Sequence, residues 1–321
     1  MINPTVIIHT ENAEAARELV AMQHPDLEIF SCDTYEGLPP LIEATKAEVV
    51  YAMRFLNSPD YPRAALVESP SVKWVSVGGS GTDHLKSWDT SRVVVTNSAG
   101  VAADMMAQYA LGAMLHFSLG FPAFRAAQNR HEWLSAEVEP IDGQTVLIIG
   151  LGNTGEAVAA RCKSLGQKTI GVRARPKPTE NVDEVYGIDA LPYLWRRADF
   201  VVVCVPLLDS TKGLVNSNAF AQMKQNAVIV DVSRGGVIDE GSLIHALDEG
   251  RIRGAALDVF MTEPLPENHK LWSYENVIIT PHCSSVYAGW DLKSVEMFSE
   301  NLIRYRRGEN LMRIVDPQRG Y

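Results

Sequence analysis

The chain has 321 residues, which is long enough for two domains of ordinary size. Its composition, with 46% hydrophobic and 21% charged residues, is typical of a globular protein. A formal net charge of −10 argues against nucleic-acid binding, which needs a basic surface. The cysteines lack both C-x-x-C spacing and the density of a disulfide-rich protein. The first residues lack a signal-peptide pattern, so we expect a cytoplasmic protein.

Residues 1–99 alternate between strand-like and helix-like segments. Strands are predicted for the apolar runs TVIIHT, LEIF, EVVYAM, VKWVSVGG and RVVVTN. The segment ENAEAARELVAMQH predicts a helix with Thr10 or Asn12 as its N-cap. This section therefore has the pattern of a small α/β unit.

The longest apolar region, MMAQYALGAMLHFSLGF, follows this section. It contains Gln108 and His116 and comes just after Asp104. Polar side chains within so short a stretch are unfavourable in a bilayer, so we expect a buried helix and no membrane span.

From residue 145 the alternation becomes regular. Strands are predicted for TVLIIG, KTIGVR, DFVVVCV, AVIVDV, AALDVF and VIIT, which are short and apolar, like parallel strands buried on both faces. The segment EGSLIHALDEG predicts a helix that ends at a left-handed glycine. Together these segments predict a doubly wound parallel sheet. A long helix is predicted within SVYAGWDLKSVEMFSENLIRYRRG, and the sequence leaves open whether it packs on this sheet or returns to the first section.

A glycine-rich motif lies between a predicted strand and a predicted helix. Gly150, Gly152 and Gly155 form the pattern G-x-G-x-x-G, with Asn153 and Thr154 inside it. The first glycine permits a tight turn, the second lets the backbone approach a pyrophosphate, and the third lets helix and strand pack closely. Because a helix N-terminus attracts negative charge, this loop is predicted to bind a dinucleotide.

The second strand of a dinucleotide-binding sheet usually ends in an Asp or Glu that binds the ribose hydroxyls. Here the strand ends TIGVRARPKP, with Arg173 at that position and Arg175 behind it, and no acidic residue occurs between Glu156 and Glu180. Guanidinium groups bind a 2′-phosphate that a carboxylate would repel. The pattern favours NADP(H) over NAD(H), although two solvated surface arginines would give the same pattern.

Ionisable residues lie at the ends of the last three predicted strands or shortly after them. Arg234 follows AVIVDV, Asp258 and Glu263 lie at the end of AALDVF and beyond it, and His282 follows VIIT. In an open parallel sheet, ligands bind beyond the carboxyl ends of the strands. These residues supply the groups that the reduction of a 2-keto acid requires. Arg234 would bind the substrate carboxylate and polarise the keto oxygen, His282 would donate a proton, and Glu263 would hold the imidazole.

Five motifs of the second section occur in an unbroken order: GLGNTGEAVAARCKSLG, VVCVPLLDSTKGLVN, VDVSRGGVIDE, GAALDVFMTEPLPENHKLW and VIITPH. Together they resemble the D-isomer-specific 2-hydroxyacid dehydrogenase family, which includes phosphoglycerate dehydrogenases and glyoxylate/hydroxypyruvate reductases. The resemblance implies that Arg234, Glu263 and His282 are catalytic. It also implies that Asp258 lies near the nicotinamide carboxamide and that Pro206 contacts the cofactor.

Upstream, VSVGGSGTDHL resembles the family loop that holds the substrate carboxylate through backbone N–H groups, which implies this role for Ser80 and Gly81. The resemblance further implies two Rossmann-like domains. A doubly wound dinucleotide-binding domain would comprise residues 100–284, and a smaller flavodoxin-like substrate-binding domain would comprise residues 1–99 plus 285–321. Members of the family are usually dimers, so we expect a homodimer, with FRAAQNRHEWLSAEVEPIDG as a candidate interface arm.

The chain departs from the family pattern at a few positions. Gln108 stands where most members have Glu, and Cys283 and Ser284 replace the commoner small residues after the histidine. Arg173 replaces the usual Asp, and together with Arg175 it resembles the NADPH-using reductases. None of these departures touches the expected catalytic residues.

Other functions fit these residues less well. A zinc site at His282 and Cys283 lacks further ligands at metal-binding spacing, so we expect no metal. Cys283 as a nucleophile lacks the features of an acyl-transfer site. A formate dehydrogenase would have Gln in place of Glu263. A dinucleotide-sensing regulator would keep the same residues and stays the alternative. Arg54 and His84 are candidates either for substrate contact or for ordinary surface and packing positions.

The sequence therefore predicts a cytoplasmic reductase that prefers NADP(H) and can also use NAD(H). Its expected substrate is a small 2-keto acid, glyoxylate or hydroxypyruvate, which it converts to the D-2-hydroxy acid. Its expected partners are this small molecule and a second copy of the chain, with no nucleic acid and no membrane.

Overall fold

The computed structural model describes residues 1–55 and 60–317. The chain divides into two compact units, unit 1 with Met1–Val101 and Tyr287–Tyr321, and unit 2 with Ala102–Val286. Each unit is built on one parallel sheet, which confirms the predicted α/β fold class. The assignment of substrate binding to unit 1 stays a prediction.

Short strands and helices alternate over most of the described residues, with α4 followed directly by α5 and β7 by β8. The strands are β1 (Val6–His9), β2 (Ile29–Cys32), β3 (Val49–Ala52), β4 (Trp74–Val77), β5 (Val94–Asn97), β6 (Thr145–Ile149), β7 (Lys168–Val172), β8 (Glu184–Tyr186), β9 (Phe200–Val203), β10 (Val228–Asp231), β11 (Gly254–Leu257) and β12 (Val277–Ile279). The helices are α1 (Ala13–Gln23), α2 (Leu38–Thr45), α3 (Arg63–Val67), α4 (Ala103–Ser118), α5 (Phe121–Asn129), α6 (Asn153–Ser164), α7 (Leu191–Leu194), α8 (Ser217–Gln222), α9 (Glu240–Asp248) and α10 (Trp290–Arg307). Short 3-10 turns span Asp83–Leu85, Ile188–Ala190, Trp195–Arg197 and Lys270–Ser273.

The sheet of unit 1 has five parallel strands in the order β2-β1-β3-β4-β5, which is the arrangement of flavodoxin-like folds. Ile8, Trp74 and Phe298 belong to one buried cluster, which joins the sheet to α1 and α10. The C-terminal helix α10 therefore packs in unit 1, a point that the sequence left open.

Two details of the helix ends in unit 1 differ from expectation. Helix α10 begins at Trp290, later than the predicted segment, because the preceding Gly289 has a left-handed backbone with φ 83. Asn12 precedes α1, but its side chain makes no capping hydrogen bond, and Thr10 Oγ1 instead lies 3.5 Å from Met53 Sδ. Asn12 therefore occupies the predicted N-cap position without forming a side-chain cap.

The sheet of unit 2 has seven parallel strands in the order β12-β11-β10-β9-β6-β7-β8. Strand β6 pairs with both β7 and β9, so the chain order reverses there, and doubly wound sheets bind dinucleotides at this switch point. All residues of β9 and β10 are buried, which explains their continuous apolar runs. The edge strand β8 was not predicted, because its three residues, Glu184–Tyr186, form no apolar run.

Helix α4 corresponds to the longest apolar region of the sequence. Ala107, Ala110 and Met114 are buried in a core that α4 shares with α6 and with strands of unit 2, which confirms the predicted buried helix. In the part of the chain that the structure describes, no helix combines the length and the apolarity needed to cross a membrane.

Candidate active site

The glycine loop connects β6 to α6, and its glycines meet different steric demands. Gly150 has φ 101, and a Cβ there would lie 3.0 Å from the Cys204 backbone. A Cβ on Gly155 would lie 1.9 Å from the Gly150 carbonyl oxygen, so the helix touches the loop directly. A Cβ on Gly152 would meet no atom within 4 Å, which leaves open space at the α6 N-terminus. A pyrophosphate fits a loop of this kind.

Three further predicted cofactor residues lie around this loop. Asn153 and Thr154 start α6. Pro206 follows β9, the sheet neighbour of β6. The adjoining Val205 lies against the loop, since a Cβ on the first glycine would be 2.9 Å from Val205 Cγ1. The structure thus brings these residues together at the switch point of the sheet.

Arg173 directly follows β7, the other neighbour of β6. Its Nη1 lies 3.6 Å from Glu156 Oε1 and 3.4 Å from Thr179 Oγ1. Arg175 is exposed. The end of β7 therefore presents guanidinium groups where many dinucleotide-binding sheets present a carboxylate, and these groups fit a phosphate.

His282 and Glu263 form a hydrogen-bonded pair beyond the ends of the neighbouring strands β12 and β11. His282 Nδ1 lies 2.9 Å from Glu263 Oε2, and the other carboxylate oxygen accepts the Phe260 N–H at 3.0 Å. Burial acts to raise the pKa of Glu263, but the hydrogen bonds from His282 and Phe260 and the charge of Arg234 outweigh it and hold this pKa below its ordinary value. An ionised Glu263 accepts a hydrogen bond from the Nδ1–H of His282, which leaves Nε2 as the ring nitrogen outside this pair.

Arg234 follows β10, the next strand of the sheet, and Asp231 and Ser233 brace its loop. Asp231 Oδ1 accepts the Ser233 N–H at 2.9 Å and the Ser233 hydroxyl at 2.5 Å. Arg234 Nη1 donates to the Ser233 carbonyl at 2.7 Å. Asp231 is only 2% exposed. Its burial, together with the charge of Asp258, raises its pKa to about 7, although the Ser233 hydrogen bonds and the charge of Arg234 act in the opposite direction.

Asp258 is buried directly after β11, and its carboxylate accepts three hydrogen bonds. Oδ1 accepts the Thr280 hydroxyl at 2.6 Å and the Cys283 N–H at 2.9 Å, and Oδ2 accepts the Ser284 N–H at 3.0 Å. These bonds fix the loop that carries His282, which has a left-handed backbone with φ 52. Asp258 is thus a positioning residue for the histidine loop, and its contact with the nicotinamide stays a prediction.

Sequence reasoning missed four residues of this network: Asp231, Ser233, Thr280 and Tyr109. Asp231 and Ser233 stand directly before Arg234 in VDVSRGG, and this proximity was the signal that could have identified them. The hydroxyls of Tyr109 and Thr280 are 2.8 Å apart, and burial raises the pKa of Tyr109 to about 12. Because Tyr109 comes from α4, distant in sequence, no local pattern could have placed it there.

The predicted substrate loop follows β4 in unit 1. Asn97 Nδ2 donates to the Ser80 carbonyl at 2.7 Å. Ser80 is exposed, whereas Gly81 is partly buried. His84 lies in the next 3-10 turn, with its ring centroid 4.6 Å from that of Tyr61, a contact that favours the packing interpretation of His84. The part of Ser80 and Gly81 in substrate binding stays a prediction.

The structure also bears on metal binding and on nucleophilic chemistry at Cys283. Within residues 1–55 and 60–317, no group of three or more His, Cys, Asp and Glu side chains is arranged to hold a metal ion. Burial and the charge of Asp258 raise the pKa of the Cys283 thiol. The thiolate that nucleophilic catalysis needs is therefore disfavoured at Cys283.

Comparison with known proteins places this chain in a family. Residues 111–284 match the model described as D-isomer specific 2-hydroxyacid dehydrogenase, NAD binding domain. The chain is 34% identical, over 76% of its length, to a D-3-phosphoglycerate dehydrogenase of Pongo abelii, of which it spans about half (46%). It is 29% identical to a glyoxylate reductase of Aeropyrum pernix, covering 96% of this chain and 95% of that one.

A solved structure gives a match over the whole chain. It is an NADPH-dependent glyoxylate/hydroxypyruvate reductase of Sinorhizobium meliloti in complex with NADP and sulfate. The match has a TM-score of 0.83 and 25% identity, and it covers 99% of this chain and 100% of that one. The chain therefore belongs to the D-isomer specific 2-hydroxyacid dehydrogenase family.

Proposed function

We propose that this enzyme reduces glyoxylate or hydroxypyruvate with NADPH as hydride donor, giving the D-2-hydroxy acid where the product is chiral. The observation that carries the proposal is the hydrogen bond of 2.9 Å between His282 Nδ1 and Glu263 Oε2, with Arg234 beyond the next strand of the sheet. A proton donor, its carboxylate partner and a fixed cation are the groups that the reduction of a charged keto acid needs.

Each of the three side chains has one role in the proposed reaction. Arg234 binds the substrate carboxylate and polarises the keto oxygen. Bound NADPH supplies the hydride to the carbonyl carbon. His282 Nε2 gives its proton to the carbonyl oxygen, and the neutral imidazole regains a proton from solvent. Glu263 accepts the Nδ1 hydrogen bond, which fixes the orientation of the ring so that Nε2 faces the substrate.

Arg173 and Arg175 support the preference for NADP(H). They stand after β7, where NAD-binding chains usually carry an acidic residue, and a guanidinium pairs with a phosphate through two parallel hydrogen bonds. The S. meliloti reductase is named as NADPH-dependent. In this proposal the enzyme can also use NAD(H), but it prefers NADP(H).

The choice of substrate rests on relatives. The A. pernix and S. meliloti proteins are named as reductases of glyoxylate or of glyoxylate and hydroxypyruvate, and this chain matches both over nearly its full length. Carboxylate binding by backbone groups of Ser80 and Gly81 is also proposed, from the resemblance of their loop alone. The dinucleotide-sensing alternative gains no support from these relatives, since they are named as enzymes.

We also propose a cytoplasmic homodimer. Residues 131–140 are exposed throughout, and the side chain of Trp133 is 98% exposed. Within this mixed segment, the exposed apolar side chains of Trp133, Leu134 and Val138 favour coverage by a second copy of the chain. The four cysteines are free, as is usual in a reducing compartment.

The test is an assay of the purified protein with NADPH or NADH and a panel of keto acids, followed by nicotinamide absorbance. The panel contains glyoxylate, hydroxypyruvate, pyruvate, phenylpyruvate, 2-ketoisocaproate and 3-phosphohydroxypyruvate. We expect the highest kcat/KM with NADPH and one of the first two acids. A higher value for another acid would reassign the substrate, and dinucleotide binding without any turnover would favour the sensing alternative.

A further inference from the structure

Arg173 has an acidic neighbour from a different element of unit 2. Glu156 lies in the first turn of α6, and its Oε1 is 3.6 Å from Arg173 Nη1. The Arg173 side chain is 23% exposed and the Glu156 side chain 48%, so the pair lies at the edge of the proposed cofactor site and is accessible to a ligand. The guanidinium that we assign to the 2′-phosphate is therefore already close to a carboxylate.

The backbones of both residues are fixed by the fold. Glu156 directly follows Gly155, which packs against the Gly150 carbonyl, and Arg173 directly follows β7. A phosphate in contact with Arg173 would displace the Glu156 carboxylate or lie within roughly 7 Å of it, because both anions would face the same guanidinium. At that separation, repulsion between a carboxylate and a phosphate dianion in water weakens binding by about 3- to 10-fold.

A ribose that carries only hydroxyls does not meet this repulsion. A carboxylate is the usual acceptor for those hydroxyls, and the chain has none between Glu156 and Glu180. Arg173 stands where the acceptor carboxylate usually lies. Glu156 is the acidic side chain that the structure places beside it.

We propose that Glu156 is a specificity-determining residue that lowers the preference for NADP(H) and allows NAD(H) to bind. The inference rests on the proposed function, in which Arg173 receives the 2′-phosphate. It predicts that removing the charge of Glu156 makes the chain more selective for the phosphorylated dinucleotide.

The test uses Glu156→Gln in the full-length protein and measures binding of 2′,5′-ADP and of ADP by calorimetry. We expect the ratio of the two affinities to shift toward 2′,5′-ADP by about 3- to 10-fold relative to the wild type. Glu180→Gln removes an exposed carboxylate beyond the arginine segment and serves as the matched control, with an unchanged ratio. Circular dichroism and thermal unfolding verify that both variants fold.

The ratio of affinities in the wild type tests the proposed function, whereas the ratio in Glu156→Gln tests this inference. A wild-type protein that binds 2′,5′-ADP no more tightly than ADP contradicts the NADP(H) preference. A ratio for Glu156→Gln within twofold of the wild-type ratio overturns the role of Glu156, whatever the wild type prefers. An equal shift in Glu180→Gln overturns it as well, because the effect would then come from net charge alone.

Discussion

Gly235 packs directly against the Phe260 backbone, since a Cβ on Gly235 would lie only 1.9 Å from the Phe260 carbonyl oxygen. Gly235 follows Arg234, and Phe260 donates its N–H to Glu263 at 3.0 Å. The segment that carries the guanidinium and the segment that carries the carboxylate are therefore held against each other, and the relative position of the two charged groups depends on this contact.

Gly235→Ala should separate these two segments. We expect kcat/KM to fall roughly 100-fold, as is usual when catalytic groups shift by about 1 Å, and stability to fall by about 1–3 kcal/mol from overpacking. Steady-state kinetics and urea unfolding measure the two effects. Gly241→Ala is the control, because its Cβ would meet only Asp239 Oδ1, at 3.8 Å. Wild-type kinetics in Gly235→Ala would show that the contact does not position the charged groups.

His282→Ala should remove the proposed proton donor. We expect turnover to fall by about 100- to 10,000-fold while dinucleotide affinity, measured by calorimetry, stays near that of the wild type. His245→Ala is the matched control, since its side chain is 69% exposed. Near-normal turnover in His282→Ala would mean that another group, or water, donates the proton.

Arg173→Asp should weaken NADPH relative to NADH. Hydrogen bonds to a charged group contribute about 1.5–3 kcal/mol, so the ratio of kcat/KM values should fall by about 10- to 100-fold. The exposed Arg196 offers a control for charge reversal, and Arg196→Asp should leave the ratio unchanged. An unaltered ratio in Arg173→Asp would place the 2′-phosphate elsewhere.

Trp133→Ser should weaken self-association if the exposed segment is a dimer contact. Analytical ultracentrifugation over a range of concentrations should show more monomer than in the wild type, because the substitution removes an aromatic side chain that is 98% exposed. Trp272 is 53% exposed, but its Nε1 donates to the Pro266 carbonyl at 2.9 Å, so Trp272→Ser is the control. Equal association of the wild type and Trp133→Ser would exclude this segment as the main contact.

Local patterns in the sequence predicted much of the site. The glycine loop was predictable because the steric roles of Gly150 and Gly155 follow from one strand–turn–helix segment. Arg234, Glu263 and His282 were predictable because successive parallel strands end at the same edge of a sheet. In each case the positions of the residues in space follow from their order in the sequence.

Contacts between segments distant in sequence were not predictable in the same way. The approach of Glu156 to Arg173 depends on how α6 lies beside β7, and the pairing of Tyr109 with Thr280 depends on how α4 packs on the sheet. Such contacts are set by tertiary packing, of which a single sequence carries no direct record. The missed strand β8 has a similar cause, since a three-residue edge strand is defined by its pairing with β7.

Asp231 should make stability depend on pH in the neutral range. Its pKa in the folded chain is raised from 3.8 to about 7, first by burial, so the folded state holds a proton that the unfolded state releases. The stabilisation from this group is therefore complete below about pH 3.8 and is lost as the pH rises through about 7. Between pH 5 and pH 8.5 the loss is on the order of 3 kcal/mol, from about two pH units at 1.4 kcal/mol each.

Asp231→Asn should remove this dependence while keeping the loop of Arg234 in place, because an amide oxygen can still accept the two hydrogen bonds from Ser233. Urea unfolding at pH 5 and pH 8.5 should show a smaller loss of stability in the variant than in the wild type. Asp209 is exposed, and Asp209→Asn should keep the wild-type dependence. A variant at Asp231 that loses as much stability as the wild type would mean that this carboxyl stays ionised throughout the range. The brace beneath Arg234 would then carry a permanent buried charge.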